Sequence, residues 1–211
     1  MRQISETPRR GTRLPRSARR AQLLDAALDV FVTSGYHSAG MDEIADRAGV
    51  SKPVLYQHFP SKLELYLALL DTSCDALLQG VREALDSAPA NKERVAATMA
   101  AFYDYVAGAK AAFRLVFESD LTNDPLVRER VDRVTNESAT LVAEVIAEDT
   151  ALPADAAELL AVSLVGMAQV SARYWVAHDA STLDQRAAVE LVSGLAWRGI
   201  SGYPVAGSEQ G

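Results

Sequence analysis

Apolar residues recur along this chain at spacings of three and four, and no run of alternating β-branched residues interrupts them, so the pattern predicts an all-α protein. From Ser17 onward Leu24, Leu28 and Phe31 fall on one helical face at i, i+4 and i+7. Gly35 stops that face as a C-terminal glycine does, placing a first helix over about 17–34. Met41, Ile44, Ala45 and Ala48 then mark a short second helix that ends before Gly49. Ser51 is placed to cap a third, Lys52 to Phe59, with Pro53 in its first turn, where a missing N–H costs nothing. Pro60 ends it. Ser61 opens a fourth helix with Glu64 in the capping-box position, and Leu63, Tyr66, Leu67 and Leu70 carry its stripe toward about Asp86.

Beyond this point the chain is rich in alanine and leucine at helical spacing. Breaks at Ser87–Ala90, Ala107–Ala109, Asn123–Pro125, Leu152–Pro153 and Asp179–Thr182 divide it into helices at about 91–106, 110–119, 125–148, 154–178 and 183–199. About nine helices are expected in all, with no internal repeat. Residues 1–16 hold two prolines, one glycine and five arginines and read as a disordered basic arm, whereas residues 201–211 read as a flexible polar tail.

Charge changes the picture. The net charge of −7 over 211 residues argues against a nucleic-acid partner only if it is evenly spread. Residues 1–62 carry 10 Lys and Arg against 6 Asp and Glu, while residues 63–211 carry 11 against 22, so one end is basic and the rest acidic. The first twenty residues hold seven arginines and one acid with no apolar core behind them, unlike a secretory signal. The greasiest segment, Leu159 to Val176, is broken by Ser163, Gln169 and Arg173, so no membrane partner is expected. A single cysteine, Cys74, offers neither an internal disulfide nor a metal-site spacing, which fits a reducing, cytoplasmic location.

The stretch at about 40–59 is a short helix, a turn built on Gly49 and a second short helix, the geometry of a helix-turn-helix. Ile44, Ala45, Val50, Leu55 and Phe59 supply the apolar contacts. Lys52, Val54, Tyr56, Gln57 and His58 are left to project, a mixture suited to phosphates, base edges and thymine methyl groups. Met41 and Pro53 flank them in the candidate DNA-binding set. Arg16, Arg19 and Arg20 precede or open the first helix, where they add counterion-release affinity with little sequence preference. The bland alternative is an ordinary helical hairpin with a polar outer face.

Asp42-Glu43-Ile44-Ala45, Ala48-Gly49-Val50-Ser51-Lys52 and Leu55-Tyr56-Gln57-His58-Phe59-Pro60-Ser61-Lys62 resemble the signature of the TetR family of bacterial one-component regulators. The resemblance covers about residues 17–66 and includes Phe31 and Gly35-Tyr36. It implies a three-helix DNA-binding domain at 17–62 and a helical bundle at 63–200 for ligand binding and dimerisation. It also implies that Tyr56, His58 and Lys62 hold phosphates, with Lys52 at the start of the recognition helix. Val54 and Gln57 occupy positions that vary in the family, so base choice is assigned to them, Gln57 for adenine and Val54 for a thymine methyl. Pro53 departs from the glycine or alanine commonest there, and its ring limits how closely the backbone approaches DNA.

A reader of this size covers one half-site, so a homodimer on palindromic double-stranded operator DNA is expected. The resemblance places the interface on the last two helices, through Leu164, Gly166, Ala168 and Ala172 with Leu191, Leu195 and Trp197. Met99, Phe102, Tyr103, Phe113, Phe117, Met167 and Tyr174 are core by spacing alone; in this family such residues line an effector pocket, here one for a small hydrophobic or amphipathic molecule. Arg114, Glu118 and Arg173 lie in apolar stretches and are expected to pair with one another rather than to anchor a ligand head group.

The run Gly35 to Arg47, the run Lys52 to Phe59, Leu164-Val-Gly-Met167 and Ala172-Arg-Tyr-Trp175 further resemble actinobacterial members of the family that activate fatty-acid synthase genes and sense long-chain acyl-CoA. That likeness implies an apolar tunnel for the acyl chain, with ligand binding shifting the spacing of two reading heads. The rivals are a repressor of an efflux or catabolic operon that senses another hydrophobic molecule, and a non-specific DNA-packaging protein. An enzyme is disfavoured: there is no carboxylate–histidine spacing for a di-metal site and no glycine-rich phosphate loop. No metal or cofactor is expected.

Overall fold

Leu23, Leu24, Ala27, Val30 and Phe31 are buried along one face of α1 (Arg16–Ser38) in the computed structural model, as their spacing requires. The structure describes residues 14–88, 90–108, 121, 123–178 and 183–200. The helix breaks at Gly35, which takes φ 73°, a left-handed value that favours glycine, and then continues for one short turn to Ser38.

Helices α2 (Met41–Arg47) and α3 (Lys52–His58) meet across Gly49, the second residue with positive φ, at 65°. Val50 donates to the Ala45 carbonyl at 3.0 Å and Gly49 to Asp46 at 3.0 Å, which closes the reversal. Ser51 stands at the N-cap of α3, but its hydroxyl makes no cap bond; its carbonyl accepts from Val54 and Leu55 instead. The Gln22 side chain donates to Ala48 O at 2.7 Å and so pins the end of α2 to α1.

Helix α4 (Lys62–Ser87) starts as predicted, with Ser61 Oγ accepting from the Glu64 N–H at 3.1 Å. At 1.5 Å per residue it is roughly 39 Å long, enough to run from the reading head through the body. Phe31, Tyr36 and Tyr66 form an aromatic triangle with ring centres 5.1 to 5.8 Å apart, which joins α1 to α4.

The body consists of α5 (Asn91–Gly108), α6 (Pro125–Asp149), α7 (Ala154–Ala177) and α8 (Gln185–Ile200) around the rest of α4. Helix α5 packs on α4, α7 and α8, and α6 packs on α4 and α7. Among the described residues there are eight helices and no strand; the helix expected at 110–119 lies outside them, as do residues 1–13 and the tail. Buried side chains form one continuous set from Leu23, Ile44 and Leu55 through Leu65 and Leu77 to Met99, Val142 and Val165. Reading head and body therefore share a core. Cys74 lies inside it, its thiol pushed up to about 12, chiefly by burial, which makes it an inert packing group.

Candidate DNA-reading surface and effector cavity

Leu55 and Phe59 turn inward from α3, which leaves Lys52, Pro53, Tyr56 and Gln57 exposed, with Val54 and His58 half-buried at the margins. The sequence expected this division. Lys52 Nζ lies 2.7 Å from Asp42 on α2, and the hydrogen bond it donates to that carboxylate raises its pKa. Both groups are exposed, so water screens the pair and a phosphate can compete for the ammonium. The His58 pKa is lowered, first by burial of the ring and then by Arg16, Arg20 and Arg19.

Four expected DNA contacts have other tasks here. Met41 is only 9% exposed and belongs to the core, because it opens α2 on the face that packs against α1. Lys62 donates to the carbonyls of Tyr36 at 2.8 Å, His37 at 3.2 Å and Ala39 at 2.9 Å, so every ammonium hydrogen is engaged in closing the end of α1. Arg20 lies 4.4 Å over the Phe59 ring, held against the end of α3. Arg19 donates to Gln22 at 2.8 Å and supports the tie to α2.

A cavity of about 240 Å³ lies within the body. Met99 and Phe102 line it, as expected, together with Val142, Val145, Ile146 and Val165. Leu164, Ala168 and Trp197, assigned above to the dimer interface, line it too; Ala172 is fully buried in the core. Ala168 and Ala172, shut inside the fold, are therefore corrected from interface to cavity wall and core, while Leu164 and Trp197 are half-buried. Tyr103, Met167 and Tyr174 do not reach this cavity and instead line an open groove of about 690 Å³ with Leu191 and Trp175. Phe113 and Phe117 fall outside the described residues.

One end of the cavity is polar. Arg94 donates from Nε to Ala88 O at 2.9 Å and from Nη1 to Asp149 at 3.1 Å, with Asn91 and Thr150 beside it. This pair was missed in the sequence, where Arg94 reads as one charge among several on an ordinary helix start. Arg114 and Glu118 lie outside the described residues, and Arg173 is exposed rather than set in an apolar stretch.

A second feature is on the surface. Leu159, Val162, Val170 and Tyr174 project from α7 with exposures of 48 to 68%, and Leu191 and Leu195 from α8 with 64% and 63%. Their spacing puts the first four on one face of α7, a large apolar stripe for a lone molecule. By length and composition alone α7 is also apolar enough to cross a membrane.

Residues 23–69 match the family of bacterial regulatory proteins called tetR. The chain is 49% identical over 197 residues to the HTH-type transcriptional activator FasR of Mycolicibacterium smegmatis, covering 93% of this chain and 90% of that protein. The chain belongs to the TetR family. A TetR-like transcriptional regulator from Rhodococcus sp. RHA1 superposes with a TM-score of 0.72 at 30% identity, over 90% of this chain and 100% of that one. The regulator FadR of Bacillus subtilis, solved with stearoyl-CoA, gives a TM-score of 0.69 at 20% identity over 83% and 96%, a likeness of fold. As TetR-family members do, this protein regulates transcription by binding DNA; TetR regulators are soluble, respond to small molecules and act as dimers, and they are not enzymes.

Proposed function

We propose that this TetR-family regulator controls fatty-acid synthesis genes from a palindromic operator, and that a long-chain acyl-CoA sets its affinity for that DNA. The observation that carries this reading is the cavity: apolar walls from Met99 to Val165, closed at one end by the polar group of Arg94, Asn91 and Asp149. An acyl chain with a polar head matches that order, whereas a sugar or nucleotide does not. The likeness to FasR over nearly the whole chain supports the gene class, and the stearoyl-CoA complex of FadR supports the ligand class.

At about 240 Å³ the cavity is smaller than the roughly 300–1,000 Å³ that encloses a whole ligand. A long acyl chain must therefore part α5, α6 and α7. Helix α4 packs on α5 and α6 and also on α1, so it carries the displacement to the reading head. The ligand favours the parted state and the operator the closed one, which is the differential affinity that regulation requires. In this reading the stripe on α7 and α8 is the dimer face, the division into reading head and body falls near Lys62, and Val54 and Gln57 choose bases.

Titration with acyl-CoAs of increasing chain length tests it. Trp197 lines the cavity and reports entry by its fluorescence once Trp175, the other tryptophan, is replaced by Phe. Long chains should change that signal and release operator DNA, and short chains should do neither. No response at any length would reject the acyl-CoA reading and leave the efflux or catabolic repressor, whose ligand is another hydrophobic molecule.

A further inference from the structure

Hydroxyls on these helices satisfy themselves locally. Thr72 donates to Ala68 O at 2.9 Å, Ser73 to Leu69 O at 2.9 Å, Thr150 to Ile146 O at 2.7 Å and Ser171 to Met167 O at 2.6 Å, each turning back to the carbonyl four residues before it. Two buried hydroxyls depart from this habit, Ser138 of α6 and Thr98 of α5, and of the two Thr98 lines the cavity. Thr98 is 8% exposed, while its Oγ1, with no hydrogen-bond partner among the described residues, lies covered just behind the cavity surface. Leaving a buried hydroxyl unmatched costs about 1–3 kcal/mol, so a donor kept in this condition beside an apolar cavity is placed to take an acceptor from outside the chain once an entering ligand parts α5 from its neighbours.

Its position on the helix defines that acceptor. Arg94, Thr98 and Phe102 follow one another at steps of four on α5, and all three line the cavity, at intervals of roughly 6 Å along the axis. A ligand lying along this face passes a guanidinium, then Thr98 with its covered hydroxyl, then aromatic and aliphatic walls. The hydroxyl stands at the boundary between head and chain.

We propose that Thr98 donates a hydrogen bond to the carbonyl oxygen at the head of a bound acyl chain, with the adjoining polar group lying against Arg94 and Asn91. Thr98 is then a specificity residue that separates acyl esters and thioesters from plain hydrophobic molecules of equal length. The assignment rests on the acyl-ligand reading above. It gives the site a filter that apolar walls cannot supply, because a site built to hydrogen-bond a group discriminates against the analogue that lacks it.

The test uses the full-length protein with two probes, stearoyl-CoA and its thioether analogue S-octadecyl-CoA, which lacks the carbonyl. The unaltered protein should bind the thioester about tenfold more tightly than the thioether, the fold-change expected for one hydrogen bond. Thr98→Val should lose that preference, binding both at the thioether level, and Thr98→Ser should keep it. The ligand-free T98V protein should also melt a few degrees higher, because a methyl group replaces an unmatched hydroxyl. A purely structural role for Thr98 predicts the opposite sign of that shift. If stearoyl-CoA binds but the unaltered protein does not distinguish the probes, or T98V weakens both equally, the Thr98 assignment fails while the acyl-CoA reading stands. If neither probe binds the unaltered protein, both fail together.

Discussion

The ammonium nitrogen of Lys62 lies 4.5 Å from the centre of the Tyr36 ring and donates to the Tyr36 carbonyl at 2.8 Å. With the His37 and Ala39 carbonyls as its other acceptors, the first residue of α4 closes the last turn of α1. Hydrogen bonds to charged groups contribute about 1.5–3 kcal/mol each at most, and these are shared among three carbonyls, so Lys62→Met should cost about 2–3 kcal/mol of stability. Urea unfolding measures this. Operator titrations over a range of salt then separate the tie from a phosphate contact. A tie predicts weaker binding with an unchanged salt slope, and a direct phosphate contact predicts a slope lower by about one.

His58 predicts a pH dependence. Burial, and after it the charges of Arg16, Arg20 and Arg19, hold its pKa below the ordinary 6.5, so the unfolded chain binds the proton more readily than the native one. The stability linked to His58 is complete above pH 6.5 and is lost as pH falls through the lowered native value. Unfolding free energies measured from about pH 8 to 5 should decline more in the unaltered protein than in His58→Asn. Operator binding should run the other way, since a phosphate against the ring favours its charged form. Affinity should rise on acidification, and the Asn variant should lose that rise.

The helix boundaries were legible in the sequence because local chemistry sets them: Gly35 and Gly49 at positive φ, Pro53 in a first turn and Ser61 with Glu64 each act within four residues. Exposure on α3 was legible for the same reason, since seven residues of helix have one inner face. Partners across the fold were not legible. Nothing local says that Lys62 reaches back to residues 36–39, that Arg20 lies on Phe59, or that Met41 faces inward. The assignment of Ala168 and Ala172 to an interface failed because a small apolar residue on a helix serves a cavity wall or a core equally well; which one it lines depends on how α5, α6 and α7 are placed. Arg94 was overlooked because its partner, Asp149, is 55 residues away.

Base choice and backbone attraction separate on α3. Gln57→Ala should relax one base position of the operator by about 1–3 kcal/mol in competition assays and leave non-specific affinity nearly intact. Lys52→Ala should weaken binding to all duplexes by a similar factor and reduce the salt slope by about one. Its pair with Asp42 is exposed and screened by water, so folding should barely change.

The apolar stripe predicts which changes break the dimer. Leu191 and Leu195 are 64% and 63% exposed, and burying a leucine is worth about 1.5–3 kcal/mol relative to leaving it in water. L191D with L195D should therefore give a folded monomer in sedimentation experiments, with operator affinity much reduced because only one half-site is read at a time. Ala172, fully buried, predicts a contrast: Ala172→Leu should lower thermal stability by overpacking and leave the residual assembly dimeric.

Ala168 offers a way to uncouple sensing from reading. Its methyl group is 1% exposed yet borders the cavity, so a larger side chain there enters empty space rather than filled core. Ala168→Phe should therefore cost less than the roughly 1–3 kcal/mol of ordinary overpacking. The ring would occupy the space an acyl chain needs in order to part α5, α6 and α7. Stearoyl-CoA binding, followed by Trp197 fluorescence, should fall more than tenfold, while operator affinity without ligand stays near that of the unaltered protein. A variant that binds DNA normally and ignores acyl-CoA places the sensing event in this cavity; one that still releases DNA on acyl-CoA addition places it elsewhere, and the open groove beside Tyr174 becomes the site to test.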